Sequence, residues 1–277
     1  CTCGAMSSPP RCMWFLTLLA LAGAAEARAR RPADEVDVAE RMHTEFDAAG
    51  GVVAPSDLGS FAHAAGLAPE LADALTDIMA ALQHGSDSSR EDAIAQLVQL
   101  SVETAEADRE QATLFRSAVV AGGALPELVA MLGEAEPWRQ ALAAAAVHAL
   151  AVDDPTTDDD NFHSLAICEA GAVAPLVRLL GVDSEEVQAS ATGALAQLAE
   201  NPICQQMIAA AGALPPLLKL ATFGGDVPRL LAVAALDVLS VNNPLVHQAR
   251  PPPPIRAWYY NPDTLAAFTP RCHSSPS

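Results

Sequence analysis

One twelve-residue phrase occurs three times in this chain of 277 residues and constrains its fold more than any other feature. The copies read AGGALPELVAML at 121–132, EAGAVAPLVRLL at 169–180 and AAGALPPLLKLA at 210–221. Their third residues are Gly123, Gly171 and Gly212, so successive copies lie 48 and 41 residues apart. Such a period is typical of solenoids, in which each unit can bury its apolar face only against a similar neighbour.

A second apolar segment follows each copy at a constant distance. Eighteen residues separate the end of each phrase from an aligned leucine, and an earlier degenerate unit keeps this spacing from Leu82 to Leu100. The aligned leucines are Leu100, Leu150, Leu198 and Leu239. Together with the positions three, four and seven before them, they give fifteen apolar residues out of sixteen on one helix face. Each unit is therefore predicted to contain a helix beginning near the proline of the phrase and a longer third helix ending near the leucine.

This order of a short helix, a glycine turn, a second helix, a polar loop and a longer third helix resembles the armadillo repeat over residues 75–243. The resemblance implies an all-α, right-handed armadillo-type α-solenoid of about four three-helix repeats. It also implies a concave groove lined by the third helices. Members of that family are non-enzymatic scaffolds that bind an extended peptide or a partner protein in this groove, so the resemblance implies no cofactor.

The stripe opposite the buried face of each third helix supplies the predicted lining of the groove. Its members are Ser88, Asp92, Gln99, Trp138, Leu142, Glu186, Ser190, Gln197, Leu231 and Val238. Nuclear import adaptors of the family carry a recurrent tryptophan five residues before the aligned leucine, where this chain has only alanine or glycine. Two of the four strips are largely apolar. Three interpretations of these apolar strips remain open. They bind an apolar segment of a partner, they are covered by residues 34–74 or by a second copy of the chain, or they are ordinary packing surface.

Charge and motifs narrow the class of function. The formal net charge is −19 and Lys219 is the single lysine, so we expect a neutral or basic protein or peptide partner and no nucleic acid. No nucleophile-elbow, Walker, dinucleotide-binding or zincin motif occurs, and we predict no enzyme, no catalytic residue and no metal site. The acidic insertion VDDPTTDDDNFHS fails as an EF-hand because Phe162 and His163 occupy its fifth and sixth positions. We interpret it as an enlarged solvated loop.

The two ends of the chain carry separate expectations. With Met6 as the start, Arg11, the apolar run 12–25 and Ala25-Glu26-Ala27 have the layout of a signal peptide, giving a leader at 1–27 and entry into the secretory pathway. An uncleaved anchor, an organellar leader and an ordinary apolar helix of a cytoplasmic protein are the alternatives. Residues 28–74 are predicted to be helical or flexible, and no membrane insertion is expected after signal removal. Residues 244–277 are predicted to be an incomplete repeat and a disordered tail, with a polyproline ligand at Pro251–Pro254 as the alternative.

A leader, an acidic surface and about four repeats also resemble another group of armadillo-like proteins. These are the lumenal nucleotide exchange factors of the endoplasmic-reticulum heat-shock chaperone, which gives an alternative function. After removal of the leader, Cys168, Cys204 and Cys272 remain, an odd number without the spacing of a disulfide framework. We therefore interpret Cys168 and Cys204 as small buried thiols.

Overall fold

The computed structural model describes residues 55–152 and 162–240, which form twelve α-helices and contain no strand. The helices are α1 (Pro55–Ala64), α2 (Pro69–His84), α3 (Asp87–Ala107), α4 (Arg109–Ala121), α5 (Leu125–Leu132), α6 (Pro137–Leu150), α7 (Phe162–Glu169), α8 (Val173–Leu179), α9 (Glu185–Leu198), α10 (Pro202–Ala210), α11 (Leu214–Phe223) and α12 (Asp226–Ser240). Taken in threes they make units 1 to 4 of a right-handed armadillo-type solenoid, as predicted from the repeat.

A left-handed glycine separates the first helix from the second in every unit. The φ angles are 101° at Gly66, 79° at Gly123, 89° at Gly171 and 78° at Gly212. Side chains other than glycine rarely adopt such angles, because the Cβ atom then crowds the backbone. A Cβ atom on Gly171 or Gly212 would meet nothing within 4 Å, so glycine is needed there for its conformation and not for space.

Gly66 marks a fourth copy of the repeated phrase, AAGLAPELADAL at 64–75, which the sequence spacing concealed. As in two of the other copies, a proline follows the glycine after three residues, and Pro69 begins α2. Helix α2 has 16 residues, whereas α5 has 8 and α8 has 7, so the distance to Leu100 is longer than in the other units. The predicted boundary at residue 75 consequently falls inside α2, and unit 1 reaches back at least to Pro55.

The third helices α3, α6, α9 and α12 lie side by side and provide most of the core. Helix α9 packs between α6 and α12, and α3 packs on the other side of α6. In units 2 to 4, every position of the predicted apolar stripe is buried, while in unit 1 Leu100 is half-buried and Gln96 is exposed. Small alanines on this stripe allow the helices to approach closely, with leucine and valine filling the space between them.

The interpretation of Cys168 and Cys204 as separate thiols is wrong in the structure. Both residues are fully buried, as predicted, but a disulfide joins them across the boundary between units 3 and 4. The two cysteines are 36 residues apart in the sequence, close to one repeat period, so they lie at corresponding places in the neighbouring helices α7 and α10. The Cα atoms of Cys168 and Cys204 are 6.1 Å apart. Spacing rules for disulfide-rich domains do not consider such stacking of repeats.

Among the described residues, no single helix is long and apolar enough to span a membrane. The two sharply bent pairs α4–α5 and α10–α11 reach the required length and hydropathy only when each pair is taken together.

Candidate partner-binding surface

The side-by-side third helices place the predicted groove residues along one row, with unequal access to solvent. Ser88, Asp92 and Gln99 on α3 are exposed, and Trp138 at the start of α6 is 46% exposed. The half-buried members are Glu186, Gln197, Leu231 and Val238. Leu142 and Ser190 are only 9% and 2% exposed, so they offer a partner almost no surface. Accessible lining is thus concentrated on α3 and at the start of α6.

An ion-pair network connects α3 with α6 beside Trp138. The Arg139 guanidinium lies 2.6 Å from a Glu91 carboxylate oxygen, 2.9 Å from one of Glu134 and 3.8 Å from one of Asp87. It also lies over the Trp138 ring, 5.5 Å from the ring centroid, in a cation–π arrangement. The hydrogen bond to Glu134 and then the charge of Glu91 raise the pKa of Arg139, although desolvation lowers it. Three carboxylates surround one cation, so this part of the surface stays acidic.

Two further carboxylates face outward from the row. Neither Asp92 nor Glu186 makes an ion pair within residues 55–152 and 162–240. Further along α3, the Gln99 side-chain amide donates a hydrogen bond to the Glu103 carboxylate at 2.8 Å. Such unpaired carboxylates attract a cationic partner and repel an anionic one.

The start of α12 lies against the start of α9. A Cβ atom on Gly225 would overlap the Glu185 carboxylate, which lies against the backbone there. Arg139 of unit 2 contacts unit 1, and Glu185 of unit 3 contacts unit 4. Both residues lie near the start of a third helix and connect it with the neighbouring unit. Neither residue is among those predicted from the sequence, although each is a charged residue at the start of its helix.

Two buried histidines occupy the interior, away from the predicted lining. Ser117 on α4 and His163 on α7 are joined by a 2.9 Å hydrogen bond between Ser Oγ and His Nε2, and both side chains are buried. This contact ties the first helices of units 2 and 3 together. His148 on α6 is 4% exposed, and its Nδ1 atom has no hydrogen-bond partner among the described residues. Desolvation lowers the pKa of His148 to about 4.

The described ranges contain no group of three or more His, Cys, Asp or Glu side chains placed to hold a metal ion. The acidic part of the insertion, residues 153–161, lies outside these ranges, as do the predicted leader and the predicted C-terminal tail.

Comparison with known proteins agrees with this architecture. The armadillo/β-catenin-like repeat profile matches residues 163–200, which span α7 to α9. No curated protein sequence matches the chain. Among solved structures, the computationally designed armadillo repeat proteins for modular peptide recognition are 28% identical, with a TM-score of 0.52 over 62% of this chain and 67% of theirs.

Two more distant structures show the same fold. A designed armadillo repeat protein in complex with the peptide (KR)4 is 22% identical, with a TM-score of 0.53 over 87% of this chain and 82% of its own. An engineered protein is 23% identical, with a TM-score of 0.54 over 84% and 83% of the two chains.

Proposed function

Because the chain is an armadillo-repeat protein, we propose that it is a non-catalytic scaffold that binds a peptide or partner protein along its third helices. The observation that carries this proposal is the continuous row α3, α6, α9 and α12, on which exposed polar residues and Trp138 flank a buried stripe. An exposed tryptophan beside charged groups is typical of the residues that dominate binding energy at protein interfaces. The designed proteins for modular peptide recognition, with the same fold, support this use of the surface.

The chemistry of the row favours a neutral or basic partner. Asp92 and Glu186 lack an ion-pair partner among the described residues, and Arg139 is neutralised by the carboxylates around it. The whole chain carries a formal net charge of −19. An anionic partner such as nucleic acid would be repelled at every step of its approach. A lysine- or arginine-containing segment would pair with the carboxylates and stack on Trp138.

We place this activity in the secretory pathway, either in the endoplasmic-reticulum lumen or outside the cell. The support is the order of a basic residue, a short apolar run and an A-x-A site within residues 1–27. We expect the mature protein to begin near Arg28 and not to insert into the membrane. N-terminal sequencing of protein recovered from microsomes tests cleavage of the leader, and recovery of residues 6–27 on lumenal protein would refute it. Absence of the chain from the microsomal fraction would refute the placement itself.

A peptide-binding assay tests the binding surface. Fluorescein-labelled (KR)4 and (DE)4 peptides are titrated with the full chain, and fluorescence anisotropy is recorded at 50 and 300 mM salt. We expect (KR)4 to bind and (DE)4 not to bind. Replacing Asp92 and Glu186 together by Asn and Gln should weaken (KR)4 binding about tenfold, since two charge pairs with the peptide are lost.

Matched variants separate the row from general electrostatics. Asp73 and Asp77 are exposed on α2, a second helix outside the predicted row, and D73N/D77N removes the same amount of charge. Likewise, W138A removes an aromatic of the row, whereas F223A removes an exposed aromatic at the end of α11. Equal losses in the row variants and in their controls would show that the third helices form no specific binding surface.

A further inference from the structure

The disulfide between Cys168 and Cys204 connects two helices that otherwise share only a small interface. Helix α7 has 8 residues and α10 has 9, and both are the short first helices of their units. The main contacts between units run instead through the third helices, where α9 packs against α6 and α12. A covalent bond between α7 and α10 therefore reinforces the unit 3–unit 4 junction at a place where non-covalent packing is much sparser than between the third helices.

The same site also accommodates the reduced cysteines. The Cys204 sulfur lies 3.2 Å from the backbone oxygen of Ser164, within reach of a hydrogen bond that a thiol at Cys204 would donate. Both cysteines are fully buried, and a buried thiol without a disulfide behaves as a small apolar residue. Reduction thus leaves the buried Cys204 thiol with a hydrogen-bond acceptor.

From these contacts we propose that Cys168 and Cys204 form a redox-dependent staple that sets the rigidity of the junction between units 3 and 4. In the oxidised protein the staple holds α7 against α10, and in the reduced protein only packing and the Cys204–Ser164 hydrogen bond remain. Their Cα–Cα distance of 6.1 Å lies within the range that a disulfide spans. Formation requires a disulfide oxidant such as oxidised glutathione. The two cysteine thiols lose two protons and two electrons, and the oxidant takes them up to become two thiols.

Burial determines how the staple responds to its surroundings. Because both Cys168 and Cys204 are fully buried, a small reductant or oxidant reaches their sulfur atoms only when α7 or α10 opens locally. The pair is therefore set during folding and reports the compartment in which the chain folded, rather than following brief changes in the redox state of the solution.

The test uses the full chain refolded from urea either with a mixture of reduced and oxidised glutathione or with excess reductant. Mass spectrometry of proteolytic peptides, after alkylation of free thiols, should find Cys168 linked to Cys204 in the first sample only. The oxidised form closes a loop of 36 residues, so we expect its thermal midpoint to lie about 10 °C above that of the reduced form. Hydrogen exchange should slow in α7 and α10 and stay unchanged in α3.

Variants distinguish the staple from the other cysteines. The double variant C168A/C204A should lose the difference between oxidising and reducing conditions, whereas C272A should keep it. Alkylation of both residues after oxidative refolding, or linkage of either one to Cys272, would overturn the proposal. So would equal thermal midpoints and equal exchange rates for the oxidised and reduced chains. None of these outcomes depends on whether the third helices bind a peptide.

Discussion

His148 should make the stability of the solenoid depend on pH. His148 lies on α6 between residues that are also buried, and burial lowers the pKa of its imidazole from 6.5 to about 4. In the unfolded chain the ring takes up a proton near pH 6.5, whereas in the folded chain it stays neutral until about pH 4. Between these pH values the unfolded state thus binds more protons than the folded state. The free energy of unfolding therefore keeps its full value above pH 6.5 and decreases as the pH falls towards 4.

The size of the effect follows from the shift in pKa. One pKa unit corresponds to about 1.4 kcal/mol, and at pH 4.5 the two titrations differ enough to remove about 2.5 kcal/mol of the free energy of unfolding. A loss of this size is a large fraction of the stability of an ordinary domain. Replacing His148 by Leu puts an apolar side chain of similar size in place of the titrating imidazole. H148L should therefore be at least as stable as the parent at pH 7.5.

Urea unfolding followed by circular dichroism at 222 nm measures the difference between H148L and the parent at pH 7.5, 6.0, 5.0 and 4.5. The carboxylates titrate in both proteins, so their effects cancel in the difference in unfolding free energy. This difference should grow in favour of H148L as the pH falls, to about 2.5 kcal/mol at pH 4.5. His84, exposed at the end of α2, provides the control, and H84Q should follow the parent. A difference that is constant over this pH range would refute the argument.

Three further substitutions, one of them paired with a control at Gly181, test the local reasons for the fold. Gly212→Ala should cost about 1–2 kcal/mol of unfolding free energy because of its φ of 78°, while Gly181→Ala, in the turn after α8, should change it by less than about 0.5 kcal/mol. Asn201→Ala should cost about 1–2 kcal/mol, since the Asn201 side-chain oxygen caps α10 by accepting from Ile203 N at 2.7 Å and Cys204 N at 3.2 Å. Leu195→Ala, at a fully buried position of α9, should cost about 2–5 kcal/mol. Urea midpoints at pH 7.5 measure all three, and equal costs at Gly212 and Gly181 would contradict the role given to backbone conformation.

The sequence predicted the fold where one physical rule controlled several residues at once. A face that buries every third or fourth side chain needs apolar residues at fixed spacing, so the stripes ending at Leu150, Leu198 and Leu239 were readable and are buried. The start of unit 1 and its copy of the phrase escaped detection because α2 is longer than the other second helices, and a fixed spacing cannot follow a change in helix length. Gly66 and Pro69 still carried the local signal of the turn.

The candidate surface was harder to predict because it depends on contacts between units. Helical periodicity places Ser190 on the outer stripe, but it does not reveal that packing of the neighbouring helices leaves this residue 2% exposed. The network of Arg139 with Asp87, Glu91 and Glu134 likewise requires knowledge that α6 lies beside α3. The pairing of Cys168 with Cys204 has the same origin. Each of these features arises from the stacking of one unit on the next, which no single unit encodes.

The two ends of the acidic insertion are tied to each other by described residues. The Ser164 hydroxyl donates to the backbone oxygen of Ala151 at 3.1 Å, so the chain leaves α6 and enters α7 at nearly the same point. The entropic cost of closing a loop between fixed ends grows slowly with its length, by about 0.6 kcal/mol for each doubling. Unit 3 can therefore tolerate changes in the length and sequence of this segment without any change in the register of the helices. This makes residues 153–161 a natural place to graft a foreign epitope or label.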